Sequence, residues 1–183
     1  MTDPTLHPAD IVDFWREAGP SRWFARSDAF DRECARFRDA HFAAARRGLE
    51  DWMHTAEGAL GLLLLLDQIP RNLFRGNAHA YATDPLARHY ATRALGLGLD
   101  RQIEATLRPF LYLPFEHSEE LIDQEHSMRL FGALHDKESE RWARVHHDII
   151  VRFGRFPHRN AALGRASTPT EQAFLDGGGF GGL

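Results

Sequence analysis

A single cysteine, Cys34, stands among the 183 residues, so no internal disulfide can form and a reducing compartment is expected. Its neighbours Phe30, Phe37 and Phe42 mark it as a small core hydrophobe. The longest apolar run, Leu62 to Leu66 with its flanks, is far too short to span a membrane. The opening MTDPTLHPADIVDFW lacks the basic-then-apolar layout of a secretory leader. A cytoplasmic protein with no membrane partner is expected. Net charge is −4 and no block of like charge occurs, which speaks against a nucleic-acid partner. A serine nucleophile elbow, a phosphate-binding glycine loop, a dinucleotide fingerprint and a cysteine nucleophile pattern are all missing, so no cofactor is expected.

Period-2 alternation is missing as well, whereas apolar residues recur at helical spacing almost throughout. An all-α fold follows, a compact bundle of antiparallel helical hairpins joined by short connections. The length suits one domain over residues 1–176, followed by a flexible glycine-rich tail, GGGFGGL, at 177–183. Helices are predicted over Pro8–Ala18, Asp28–Arg47, Glu57–Phe74, Pro85–Leu97, Pro114–Leu134, Glu138–Phe156 and Pro169–Asp176. In STPTEQAFL, Thr168 is placed as N-cap, Pro169 at the first helical position and Glu171 three residues after the cap, forming a capping box. Asp84 is expected to cap the helix that Pro85 opens, and Gly76 to close the preceding one in the left-handed conformation.

Two places break this pattern in the same way. An apolar helical run meets a proline, Pro70 or Pro157, and Arg-Asn comes within three residues: Arg71-Asn72 and Arg159-Asn160. Each proline lacks an N–H and takes a donor from a carbonyl one turn earlier, that of Leu66 or Phe153. If buried, those carbonyls need other donors, and nearby arginine, asparagine or glutamine side chains are the expected source. The Glu57–Phe74 segment is apolar all round and reads as the buried centre of the fold. It ends in Asp67, Gln68, Arg71, Asn72 and Arg75, with Asp67 and Arg71 side by side at i, i+4. In PFEHSEELIDQEHSMRLF, a 100° projection puts His117 and Gln124 in one stripe with Leu121, Met128 and Phe131, and Glu116, Glu119, Glu120 and Asp123 on a solvated face. Toward Phe156 the core stripe is Trp142, Val145, Ile149, Phe153 and Phe156, while Arg155, His158, Arg159 and Asn160 crowd the second proline. His41, among Phe30, Cys34 and Phe37, reads as a structural core histidine.

The stretches LLDQIPRNLFRG, ATDPLA, FLYLPFEHSEELIDQ, HHDIIVRFGRFPHRNAALGR and STPTE, with DFW and RWF, resemble the bacterial domain of unknown function 924 family. Ile69, where an aromatic is commoner, and Thr170, where an acidic residue is commoner, are small departures. The resemblance spans nearly the whole chain. It implies a fold of tetratricopeptide-like helical hairpins and no established activity. No 34-residue repeat signature is visible in the sequence itself.

These residues support one reading first: a site for a small anionic ligand, possible also as a catalytic centre. Arg71, Arg155 and Arg159, supported by Gln68, Asn72, Arg75 and Asn160, would bind the anion through planar guanidinium forks. His117 and His158 would serve as acid or base, with Glu116 and Asp67 orienting them. One alternative is a tetratricopeptide-like module for a protein or peptide partner. A second is a metal-dependent phosphohydrolase using His147-Asp148 with His117 or His126. Its ligand spacings are commonplace, so no metal is assigned.

Overall fold

The computed structural model describes residues 6–179, and among them every regular element is helical and none is a strand. In chain order the α-helices are α1 (Pro8–Ala18), α2 (Pro20–Trp23), α3 (Asp28–Cys34), α4 (Arg38–Ala45), α5 (Ala56–Leu63), α6 (Ile69–Leu73), α7 (Asp84–Gly96), α8 (Leu113–Glu116), α9 (Leu121–Gly132), α10 (Lys137–Phe153) and α11 (Pro169–Asp176). No described helix is long and apolar enough to cross a membrane. The chain divides into two compact units, one through Arg75 together with His79–Pro114, the other Gly76–Ala78 with the chain from Phe115 onward. The change of unit along the chain falls inside α8.

In the first unit, α5, a π-helical turn at Leu64–Gln68 and α6 form a continuous run. Every residue from Gly58 to Asn72 is buried, as expected for a helix apolar on all sides. It packs against α1, α3, α4, α7 and the turn Glu50–His54. That turn comes so close that a Cβ on Gly58 would sit 2.0 Å from the Trp52 carbonyl oxygen. Cys34 is fully buried as expected, and burial pushes its thiol up to about 12.

The π-helical turn lies immediately before Pro70, and the amide of Ile69 donates to the carbonyl of Leu64, five residues back. Four successive carbonyls around this irregularity accept from side chains. His41 Nδ1 lies 2.8 Å from Leu65 O, Thr83 Oγ1 donates to Leu66 O at 2.5 Å, Arg71 donates to Asp67 O, and Asn72 Nδ2 donates to Gln68 O at 3.2 Å. Arg71 and Asn72 therefore do serve carbonyls, but one and two residues past the one Pro70 deprives. Leu66 O is served by Thr83, which draws that hydroxyl from its own helix. Thr83 occupies the N-cap position of α7 without making a cap hydrogen bond. Asp84, expected as the cap, is instead the first helical residue and turns to Arg71. Gly76 is left-handed at φ 77°, as expected.

In the second unit α9 and α10 pack together across a four-residue connection, 133–136, and so form an antiparallel hairpin. The helix predicted over Pro114–Leu134 is broken at residues 117–120. The cause is local hydrogen bonding that competes with the helix. Ser118 Oγ accepts from the amide of Glu120 at 3.1 Å and donates to Asp123 at 2.6 Å. Gln124 Nε2 donates to the carbonyls of Glu116 and Ser118, at 2.6 and 2.7 Å. The break resets the helical phase, so Leu121 is exposed and the buried stripe of α9 is Gln124, Ser127 and Phe131. The predicted stripe of α10 is also rotated. Trp142 is exposed, and Ala143, His146, Ile149 and Ile150 are buried. Val145 and Phe153, partly buried, pack on Ile149, Ile150 and Phe156.

α10 ends before Pro157 is reached, because Gly154 is left-handed (φ 67°) and its amide closes on Ile150. Pro157 opens a 3-10 turn, Pro157–Arg159, so it does not disturb α10 in the manner expected. The capping box of α11 is present, with the amide of Glu171 on Thr168 Oγ1 at 3.2 Å and the amide of Thr168 on Glu171 Oε2 at 2.7 Å. Of the glycine-rich tail, Gly177–Gly179 are described, and the amide of Gly179 donates to Phe174 O; the remainder lies outside the described residues. Replacing Thr83 by valine keeps its shape and removes the donor to Leu66 O. Urea unfolding should show a loss of about 1–3 kcal/mol, the cost of a buried carbonyl left unsatisfied; an unchanged midpoint and slope would show that Thr83 does not carry this role.

Candidate functional site

The candidate residues lie in two polar clusters, one in each unit. In the first, Arg71 is 9% exposed and meets Asp84 through two parallel hydrogen bonds of 3.0 and 3.1 Å, with Asp67 Oδ1 at 3.2 Å on the same guanidinium. Burial works against its charge, but Asp67 and Asp84 outweigh it and hold the guanidinium above its ordinary pKa. Gln68 donates to Asp67 at 2.5 Å. Arg75 forks onto Asp31 with two 2.9 Å hydrogen bonds and also reaches Asn72 Oδ1 at 3.4 Å. All five residues that the sequence grouped here are thus brought together, and the arginine forks are directed at carboxylates of the chain itself.

The second cluster centres on His146, a residue that the sequence pattern did not single out. Its Nδ1 lies 2.9 Å from the Trp142 carbonyl and 3.0 Å from Glu116 Oε1, and its ring stands edge-on to Phe156 at 5.6 Å. The Trp142 carbonyl, an acceptor only, requires the proton on Nδ1. Burial, then the charge of His117, with lesser contributions from Arg159 and His158, push the imidazole down to about 3. His146 is therefore neutral at ordinary pH. The His117 ring is 6.1 Å from it, His158 is 5.4 Å from Phe156, and the Arg159 guanidinium lies 4.5 Å above the Phe156 ring.

Glu116, placed on a solvated face by the sequence projection, is 3% exposed, and the break after it is what turns it inward. Gln124 clasps the backbone on both sides of His117 and so fixes the segment that carries it. Both Gln124 Oε1 and Ser127 Oγ are buried and have no hydrogen-bond partner. They sit three residues apart, on one face of α9.

Arg155 and Asn160 belong to a different set of contacts. Arg155 forks onto Glu171 at 2.6 and 2.8 Å and reaches the carbonyl of Ala166. Arg155, with the Thr168 amide, holds the Glu171 carboxyl down to about 2. Asn160 accepts from Arg165 at 2.9 Å and donates to Ser167 at 3.1 Å. Arg165 also forks onto Glu119, at 2.7 and 3.0 Å, and Glu119 accepts the amide of Phe156. Burial would raise the Glu119 carboxyl, but Arg165 and that amide lower it. These bonds tie the Pro157 turn to α11 and to the 117–120 break.

The proposed metal ligand pair His147-Asp148 is a neighbouring hydrogen-bonded pair at 3.1 Å, with Asp148 exposed. Among the described residues no three or more His, Cys, Asp or Glu side chains gather as a metal-holding group. An open groove of about 620 Å³ occurs in the first unit, lined by Phe14, Glu17, Arg22, Arg32, Glu33 and Arg36. It includes none of the candidates, and its Arg22 is paired with Glu33 while Arg36 lies over Phe14.

His146 could have been found from a stripe one residue out of phase, since it recurs at i+3 and i+4 spacing with Ala143, Ile149 and Ile150. Ser127 has the same signal relative to Gln124 and Phe131. Glu171 and Asp84 had none, because capping positions do not reveal which arginine reaches them.

Residues 11–179 match the family described as bacterial protein of unknown function (DUF924). The chain belongs to this family. The structure of the protein of unknown function ATU0120 from Agrobacterium tumefaciens is similar, with 52% identity, a TM-score of 0.90, and coverage of 93% of this chain and 97% of that one. A comparison with curated proteins finds no match. The DUF924 description names no activity.

Arg71→Ala strands Asp67 and Asp84 in the core and should cost about 3–5 kcal/mol in urea unfolding. A loss under about 1 kcal/mol would show that Arg71 is not needed to balance them. His146 titrates near 6.5 when unfolded and near 3 when folded, so its stabilisation is complete above pH 6.5 and drains away as pH falls toward 3. Between pH 6 and 5, before carboxylates contribute strongly, stability should fall by about 1.2 kcal/mol from this group. His146→Asn should flatten that slope, and an equal slope in both proteins would contradict the assignment.

Proposed function

We propose that this DUF924 protein binds a small ligand bearing an anionic group at the second unit's cluster of Glu116, His117, His146, His158 and Arg159. The observation carrying the reading is the neutral, buried His146, with Glu116 Oε1 3.0 Å from its Nδ1, together with Gln124 Oε1 and Ser127 Oγ of the adjoining α9, which lie buried without protein partners. Buried polar atoms are ordinarily satisfied, and groups left over in a native fold point to a water or ligand that completes them. Three groups able to carry positive charge, His117, His158 and Arg159, act electrostatically on His146, which favours an anion. Arg159 would present its planar fork to a carboxylate or phosphate.

Within this reading the roles divide by charge state. His146, kept neutral, donates its Nδ1 proton to the Trp142 carbonyl, has Nε2 as an acceptor and does not act as the acid or base. His117 and His158 are the titratable pair, and Glu116 orients His146. Arg71 and Arg155, forked onto Asp84 and Glu171, hold the scaffold, as do Asp67, Gln68, Asn72, Arg75 and Asn160.

Thermal unfolding against a panel of carboxylated and phosphorylated metabolites tests the proposal. A ligand at one hundred times its Kd adds about 2.7 kcal/mol and should raise the Tm by roughly 5–10 °C. Arg159→Gln and His117→Gln should lose most of that rise while still unfolding cooperatively. A flat response across the panel, or a rise that both variants retain in full, counts against this site.

A further inference from the structure

We propose that His41 and His79 form a two-histidine site for a divalent first-row transition metal, of the type Zn²⁺, Co²⁺ or Ni²⁺. All the residues involved belong to the first unit, so the proposal is independent of the ligand site above. Their Nε2 atoms lie 3.2 Å apart. Metal–imidazole bonds are about 2.0–2.1 Å long, so two nitrogens at this separation would subtend about 100–106° at a shared ion, near the tetrahedral angle. Imidazole is a ligand suited to these metals.

His41 is prepared for such a role by the π-helical turn. Its Nδ1 is held at 2.8 Å by the carbonyl of Leu65, which places the proton on Nδ1 and leaves Nε2 with its lone pair. A backbone carbonyl that fixes the far nitrogen is the usual second partner of a metal-binding histidine, setting both tautomer and ring orientation. The residue is fully buried, and burial, with a smaller push from His79, keeps it uncharged. Phe42 and Phe74 flank the pair, with ring centres 5.1 and 5.6 Å from His41 and 5.4 and 4.2 Å from His79. These walls limit the swing of both imidazoles. His79 is only partly buried, so water can complete the coordination shell.

Without metal, one proton shared between the two Nε2 atoms satisfies both rings. A metal ion takes the place of that proton, which belongs to His79 and moves to its Nδ1, so that both Nε2 lone pairs are offered to the ion. The ion sits off the line between the nitrogens, because half of 3.2 Å is shorter than a metal–nitrogen bond. No third protein ligand is invoked.

The experiment uses the full chain, stripped with a chelator and dialysed. Co²⁺ is titrated with visible absorption as readout, and Zn²⁺ by calorimetry and by displacement of Co²⁺. One equivalent should bind, and His79→Gln should weaken it by more than the roughly tenfold that losing a mere orienting partner costs. His54→Gln, an exposed histidine of the Glu50–His54 turn, should bind as the parent does. Thermal unfolding establishes that His79→Gln is folded. Imidazole nitrogen shifts of His41 and His79 on Zn²⁺ addition give a readout that needs no variant. Absence of binding, binding unchanged in His79→Gln, or unmoved Nε2 signals would each overturn the proposal.

Discussion

The carbonyl of Leu66 has lost its helical N–H to Pro70 in a segment with no exposed residue, so the chain must bring a donor to it. Thr83 answers that need, and much of the first unit depends on where Thr83 then has to be. Its neighbour Asp84 lands on Arg71, which spans from α6 to the start of α7. The π-helical turn spreads the disturbance over four carbonyls and hands Leu65 O to His41. Side chains that looked like a ligand-facing fringe of polar residues in the sequence are, in part, the means by which a proline is accommodated inside the core.

The second unit handles its proline differently. Gly154 ends α10 before Pro157 arrives, so the ring falls outside the helix. The Pro157 turn is instead held from several sides by Glu119, Arg165, Asn160 and Glu171. Arginine acts in both units as an internal strut, with its planar fork matched to a carboxylate of the same chain. Such pairs contribute less by their attraction than by the penalty of leaving either partner alone. The polar residues of α9 and α10 differ in kind: a neutral imidazole beside a buried carboxylate, and on α9 two buried oxygens without protein partners, are poor scaffolding.

Local signals were legible to the residue. α1 and α11 have the predicted bounds, because a proline at the first turn and a cap write their starts into a few neighbouring residues. The burial of the leucine-rich run and of Cys34 was also legible, since apolar character all round leaves no face for water. The phase of α9 was not. Ser118, Asp123 and Gln124 break the helix with hydrogen bonds that a periodicity count cannot register, and every later position is rotated in consequence. The stripe of α10 misled for a related reason: Trp142 is apolar enough to count as core, yet its indole N–H is satisfied by Glu138 at the surface.

The sequence by itself determined the helical class, the central buried run and the capped ends, because each depends on neighbours within a turn or two. It also marked the two proline breaks as polar places. Which partner each arginine takes, that Thr83 rather than Arg71 serves Leu66, and that His146 joins Glu116 were decided only by tertiary structure. One of those contacts, between Arg165 and Glu119, spans 46 positions, and at such spacing a choice among chemically equivalent donors and acceptors is made by packing distance, which no local pattern records.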